Sequence, residues 1–130
     1  MSLNVPTALL EKAEHGEVDD AEFVETVRTS LPFAYRTVAG LAERLREEQP
    51  EDFADHTATP TDAERAELLR AMASDAVRAS LERHFGVVLA FQNCHRVAAF
   101  RPGDERGEAY RRFTSPRAQL LNQVPGLRSC

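Results

Sequence analysis

Apolar positions recur at three and four residues along most of this chain and crowd into adjacent runs at one place only. The recurring pattern predicts amphipathic helices, and the crowded runs predict strands. Asn4-Val5-Pro6 suits a helix start, because proline presets φ and lacks only a donor that a first turn leaves unpaired. A short helix to about Glu14 follows, closed by His15-Gly16. Asp19 and Asp20 offer oxygens to cap a second helix, in which Phe23, Val24, Val27 and Leu31 share a stripe. It is expected to end near Ser30, which then caps a third helix beginning at Pro32. Ala34, Val38, Leu41, Ala42 and Leu45 form the buried face of that helix, which stops before Pro50.

Thr61-Asp62-Ala63-Glu64 reads as a capping box that opens one long helix ending at Gly86. Its expected stripe is Leu69, Met72, Ala73, Ala76, Val77, Ser80 and Leu81. Two apolar runs follow, Val87 to Phe91 and Val97 to Phe100, joined by the polar tip Gln92-Asn93-Cys94-His95-Arg96. β-Branched and aromatic residues with so short a connection predict a β-hairpin. If Gln92 pairs with His95, Val87, Leu89, Phe91, Ala98 and Phe100 share one face, and Val88, Ala90, Val97 and Ala99 the other. Arg101-Pro102-Gly103-Asp104 is a turn, Glu105 to Phe113 a short helix weakened by Gly107, and Ser115-Pro116 starts a last helix to about Gln123, ended by Pro125 and Gly126. The fold class expected is mainly α: five to six helices around a long central helix, packed on the second and third, with one antiparallel β-hairpin.

At 130 residues with 42% hydrophobic positions the chain is expected to form a single domain over 1–130. Gln49 to Pro60, with two prolines, three acids and no apolar period, is expected to be an exposed acidic linker between helices. No segment approaches the roughly 20 apolar residues of a membrane span, and the opening residues lack the basic and apolar regions of a leader. A cytoplasmic protein with reduced thiols is expected. The net charge of −5 divides into −9 over residues 1–65 and +4 over residues 66–130, which suggests halves that fold against each other. Ten arginines spread over the second half make no dense patch for phosphates, so nucleic acid is disfavoured as a partner. Arginine supplies fifteen of the sixteen basic residues, a bias that with the abundant alanine suggests a GC-rich bacterial genome.

Candidate chemistry gathers at the hairpin tip. Cys94 and His95 invite a thiol–imidazole reading, but neighbours in an extended strand point to opposite faces, so a structural role for both is favoured. His84, Cys94 and His95 form the nearest metal-ligand set, yet a five-residue strand carries the tip roughly 17 Å from His84. Glu11, Glu14 and His15 lack the spacing of a helical carboxylate–histidine site. No glycine-rich phosphate loop is present. Arg96, Arg101, Arg106, Arg111, Arg112 and Arg117 could ring an anion, though arginines so scattered are more often solvated or paired with the acidic first half. The candidate ligand or partner site is therefore Asn93, Cys94, His95, Arg96 and Arg101, with no catalytic residue, metal or cofactor assigned.

Both faces of the hairpin are apolar and its outer edges are unpaired, so something must cover them. Pairing of two hairpins into a four-stranded sheet in a homodimer would do so. Function is accordingly expected to be that of a non-enzymatic interaction or regulatory protein, acting through a partner or dimer surface as a homo-oligomer or with another protein. The alternative is a small-anion-binding accessory protein or thiol-dependent enzyme using Cys94 and His95. A third reading is redox sensing through Cys94 and Cys130.

With Met1-Ser-Leu-Asn-Val-Pro, Thr29-Ser-Leu-Pro-Phe, Arg83-His-Phe-Gly-Val, Ala90-Phe-Gln-Asn-Cys-His-Arg-Val and Gln119-Leu-Leu-Asn-Gln in view, the chain resembles, end to end, a family of small uncharacterised proteins of Streptomyces and related actinobacteria. The resemblance implies a cytoplasmic actinobacterial protein and carries no reaction, cofactor or catalytic residue.

Overall fold

A computed structural model describes residues 2–56, 58–93 and 95–123. Seven α-helices and three strands follow one another as α1 (Thr7–Glu14), α2 (Asp20–Ser30), α3 (Pro32–Glu47), β1 (Ala54–His56), α4 (Asp62–Met72), α5 (Asp75–Phe85), β2 (Val88–Gln92), β3 (Arg96–Phe100), α6 (Glu108–Phe113) and α7 (Pro116–Leu121). A 3-10 turn at Asp104–Arg106 precedes α6, from which Gly107 separates it. The mainly α class with a small antiparallel sheet is as the sequence predicts. None of the described helices is long and apolar enough to cross a membrane.

Local chemistry explains most boundaries. Asp19 accepts the Ala21 N–H at the start of α2, and Thr61 with Glu64 completes a reciprocal capping box at α4. Gly86 ends α5 at φ 66°, a conformation an L side chain rarely adopts. Ser115 caps α7 through the Ala118 N–H. Ser30 does not cap α3: it is the last residue of α2, and its hydroxyl accepts the Asn4 N–H at 2.8 Å. A carboxylate oxygen of Glu67 on α4 instead takes the orphan Phe33 N–H in the first turn of α3, at 2.8 Å.

The single long helix expected from Thr61 is two helices. The chain leaves α4 at Ala73, and the Ser74 hydroxyl accepts the Val77 N–H to begin α5. The break changes which residues face inward. Leu68, Ala71 and Met72 are buried on α4 and Val77, Ser80 and Leu81 on α5, whereas Leu69 is 44% exposed and Ala73 and Ala76 also lie outside.

Within the segment expected to be a linker, Ala54–His56 pairs antiparallel with β3, and Ala54 is buried. Glu51 and Asp52 beside it are exposed. The strand order is β1-β3-β2, so the second strand of the hairpin is the centre of the sheet. The hairpin closes on Gln92 opposite Arg96, one position later on β3 than the Gln92–His95 pairing considered from sequence. Because side chains alternate, that slip turns every β3 residue over. Leu89, Val97 and Ala99 now join the main core with Val38, Leu41 and Leu45 of α3. Ala90, Ala98 and Phe100 face a second cluster with Phe113 of α6. Phe100 is fully buried there, 4.8 Å from the Phe53 ring and 5.1 Å from Tyr110. Burial of that kind contributes roughly 1.5–3 kcal/mol per side chain.

Both apolar faces of the sheet are thus covered by helices of the same chain. Parts of the hairpin's edges are met as well. β1 occupies the free side of β3, Glu82 accepts the Leu89 N–H of β2 at 2.8 Å, and Arg44 donates to the Asp55 carbonyl of β1 at 3.0 Å. β3 is thus paired on both sides within the fold, and one backbone group on each outer edge of the sheet finds a side-chain partner.

Candidate functional site

The hairpin tip is built as a clamp on the C-terminal helix. A three-residue connection needs a positive φ, and Asn93 supplies it at 55°. The same asparagine then serves as a hub. Its backbone N–H donates to Gln119 at 3.2 Å and its side-chain amide to the Asn122 carbonyl at 2.7 Å. Its side-chain oxygen accepts from the amides of Gln119 and Gln123. Cys94 lies outside the described residues, as does Cys130.

His95, the last residue of the connection, is only 5% exposed, and its Nδ1 meets no partner among the described residues. Burial holds the imidazole below its ordinary value, and Arg96 and Arg65 push the same way, so the neutral ring is the favoured form. Arg96 points to the other face of the sheet. Its guanidinium donates to one carboxylate oxygen of Asp55 at 2.6 and 2.9 Å, reaches Gln92 Oε1 at 3.4 Å and lies 5.2 Å from the centre of the Phe113 ring. Gln92 is itself buried and donates to the Phe113 carbonyl at 2.6 Å. Arg101 belongs to a different place, beyond the far end of β3, where it donates to the Pro50 carbonyl at 2.7 Å.

The candidate residues that are described, Asn93, His95, Arg96 and Arg101, are therefore not one constellation. Asn93 joins hairpin to α7, Arg96 joins β3 to β1 and α6, and Arg101 fastens the turn after β3 to the chain end of α3. Asn93 and Arg96 spend their side-chain polar groups on intrachain contacts, and Arg101 spends one N–H. His84 takes part in no shared focus with His95: it meets the Phe85 ring edge to face at 4.7 Å and the Tyr35 ring at a tilt at 6.4 Å, centroid to centroid. His15 turns Nδ1 to the Glu11 carbonyl at 2.8 Å. Among the described residues no three His, Cys, Asp or Glu side chains converge as metal ligands would.

Sequence reasoning passed over Asp55 and Gln92, which complete the Arg96 cluster. Asp55 sat in a segment read as linker, and its only signal was one apolar residue, Ala54, between Phe53 and a charge. Two surface features also went unread. A groove of about 410 Å³ runs between α1 and α2, walled by Pro6, Leu9, Lys12, Ala21, Glu22 and Thr26. A larger cleft of about 570 Å³ lies where α3 and α5 end.

The chain is mainly α, with helices of the same chain against both faces of its small sheet and the hairpin tip bound to α7 through Asn93. A family model described as "NucS shadow ORF" matches residues 1–130, and the chain belongs to that family. Nothing among curated proteins or solved structures matches it.

Proposed function

We propose that this chain is a cytoplasmic actinobacterial interaction or regulatory protein, not an enzyme, and that it acts through a self-association surface. The observation that carries the reading is a pair of complementary patches. The α1–α2 groove is apolar inside, and Leu10 and Val18 stand 49% and 50% exposed on the same two-helix unit. Thr7–Ser30 carries seven acids against two bases, a balance of −5. At the other end of the chain, α7 exposes Leu120 and Leu121 by 70% and 69%, while Gln119 on the same helix is held by Asn93. Residues 109–123 hold three arginines and no acid. The side chains of Arg112 and Arg117 are exposed, with no partner among the described residues. Two leucines flanked by arginine suit an apolar groove with an acidic rim. A second copy would seat its α7 in the groove and receive this chain's α7 in return, a reciprocal contact that closes a two-fold dimer. Engaging the seat twice adds toward the roughly 800 Å² per partner that stable interfaces bury.

A shadow open reading frame is one laid over another gene, so the reading has a prior condition: the chain must be made. What supports it is agreement between levels of structure. The reciprocal Thr61–Glu64 box, Gly86 at a left-handed helix end and a core shared by α3, α5 and the sheet all point to one fold. The rival reading, anion binding or thiol chemistry at the tip, draws no support from Asn93 and Arg96, which spend their polar groups within the chain.

The test has two stages. Peptides of this chain in the host's proteome are expected, and their absence under all growth conditions would end the functional reading. For the purified, untagged protein, light scattering at micromolar concentration is expected to give a dimer mass. Leu120→Asp with Leu121→Asp, at exposed positions, is expected to give a monomer of unchanged melting temperature. A wild-type monomer, or a dimer that survives the double substitution, would overturn the surface named here.

A further inference from the structure

The cleft between the ends of α3 and α5 has the composition of a small-molecule site. Leu45 and Val87 form its floor at 5% and 6% exposure, with Phe85 beside them. Arg46 and Arg101 stand on its walls with Glu51. Its volume of about 570 Å³ falls inside the roughly 300–1,000 Å³ range of ligand sites.

The charges differ in how they are occupied. Arg101 spends one N–H on the Pro50 carbonyl at 2.7 Å and keeps Asp104 at 3.9 Å, so most of its donor fork stays free. Arg46 is exposed, and its guanidinium has no partner among the described residues. The backbone bends sharply at the mouth, where Gln49 sits at φ 46° without being glycine. That turn and the Arg101–Pro50 bond hold the α3 end against the turn after β3, so the two guanidinium groups belong to one cleft.

We infer that this cleft binds a small monocarboxylate with an aromatic or aliphatic body, its carboxylate taken by Arg46 and Arg101 and its body laid on Leu45, Phe85 and Val87. The number of charges selects the class. Arg46 and Arg101 stand against Glu51 and, 3.9 Å from Arg101, Asp104, so the cleft holds no surplus charge for a dianion and offers a single carboxylate the free donors of two guanidinium groups. The carbonyl ends of α3 and α5 carry partial negative charge, which opposes a phosphate dianion more strongly than a singly charged carboxylate. The apolar floor opposes small hydrophilic anions, which gain nothing from it. The inference is independent of self-association, because it uses neither α7 nor the α1–α2 groove.

The test is a titration of the full chain followed by amide chemical shifts, with benzoate, benzyl alcohol and inorganic phosphate as probes. Benzoate is expected to saturate in the millimolar range, with shifts confined to residues 42–51, 85–87 and 101–102. Arg46→Gln, at an exposed position, is expected to weaken benzoate by roughly tenfold, about one ion-pair hydrogen bond's worth. Benzyl alcohol and phosphate are expected to bind at least as weakly as benzoate does to that variant. Shifts that fail to saturate, benzoate binding unchanged in Arg46→Gln, or phosphate binding as tightly as benzoate would each overturn the assignment.

Discussion

Arg96 of β3 holds Asp55 of β1 through two guanidinium nitrogens, at 2.6 and 2.9 Å, across 41 residues of sequence. The side chains are 29% and 21% exposed, so water only partly screens the pair. It pins the short outer strand to the sheet at its central strand, where two or three backbone bonds alone would leave β1 marginal. Asp55→Ala is expected to destabilise the protein by about 1–3 kcal/mol, because it strands the Arg96 charge beside Phe113. Asp55→Ala with Arg96→Met is expected to cost less than the single change, since no unpaired charge remains. Urea midpoints of the three proteins check this, and a double variant weaker than the single one would contradict it.

Ser74 divides what would otherwise be one helix. Ser74→Ala is expected to remove about 1 kcal/mol by orphaning the Val77 N–H. Thermal unfolding followed by circular dichroism measures the loss, and an unchanged midpoint would show that the Ala73–Ser74 break is held by packing alone.

His95 makes stability depend on pH in a definite direction. Its folded-state pKa lies below the ordinary 6.5, so the unfolded chain takes up the proton first. The full contribution is present above 6.5 and is lost as pH falls below it toward the folded value. Asp20 and Glu25 are held below their ordinary 3.8 and 4.5 by hydrogen bonds from Arg83 and Arg28, so their contributions fade only in more acid solution. Urea midpoints measured from neutral pH downward are expected to drop just under 6.5 in the wild type and to flatten there in His95→Gln. Equal slopes in the two proteins would assign the effect to another group.

Asn93 separates backbone need from side-chain need. Asn93→Gly keeps the left-handed turn and the backbone N–H bond to Gln119, and removes the side-chain bonds to Gln119, Asn122 and Gln123. Hydrogen exchange in α7 is expected to accelerate by roughly tenfold, about the worth of one net hydrogen bond, while β2 and β3 keep their protection. Asn93→Ala adds backbone strain and is expected to loosen the hairpin as well.

What the sequence made legible was whatever is decided within a few residues. Thr61 with Glu64, Gly86 and Ser115 with Pro116 are local devices, and each stands where the chain needs it. Ser74 was hidden because a lone serine in an alanine-rich stretch costs a helix little, so periodicity ran straight through it. The hairpin register was hidden because loops of two and three residues fit the same sequence, and only the packing of Phe100 on Phe113 distinguishes them. β1 was hidden because three residues carry almost no period, and its partner Arg96 is distant in the chain. The partners of Asn93 and Arg96 were hidden for a related reason. Polar residues at a tip look free when read in a line, yet Asn93 and Arg96 are bound by residues that lie elsewhere in the sequence.

The strand order also sets a timetable for synthesis. β2 and β3 are joined by a short turn and can meet within microseconds. β1 leaves the ribosome first but has nothing to pair with until β3 follows, after α4 and α5 have emerged. Closing so long a loop costs more entropy than closing the hairpin turn, so β1 is expected to dock last, onto a hairpin already formed. Until then Leu41 and Leu45 of α3 lack the strands that cover them, and a chain stalled before Phe100 is the species most exposed to aggregation.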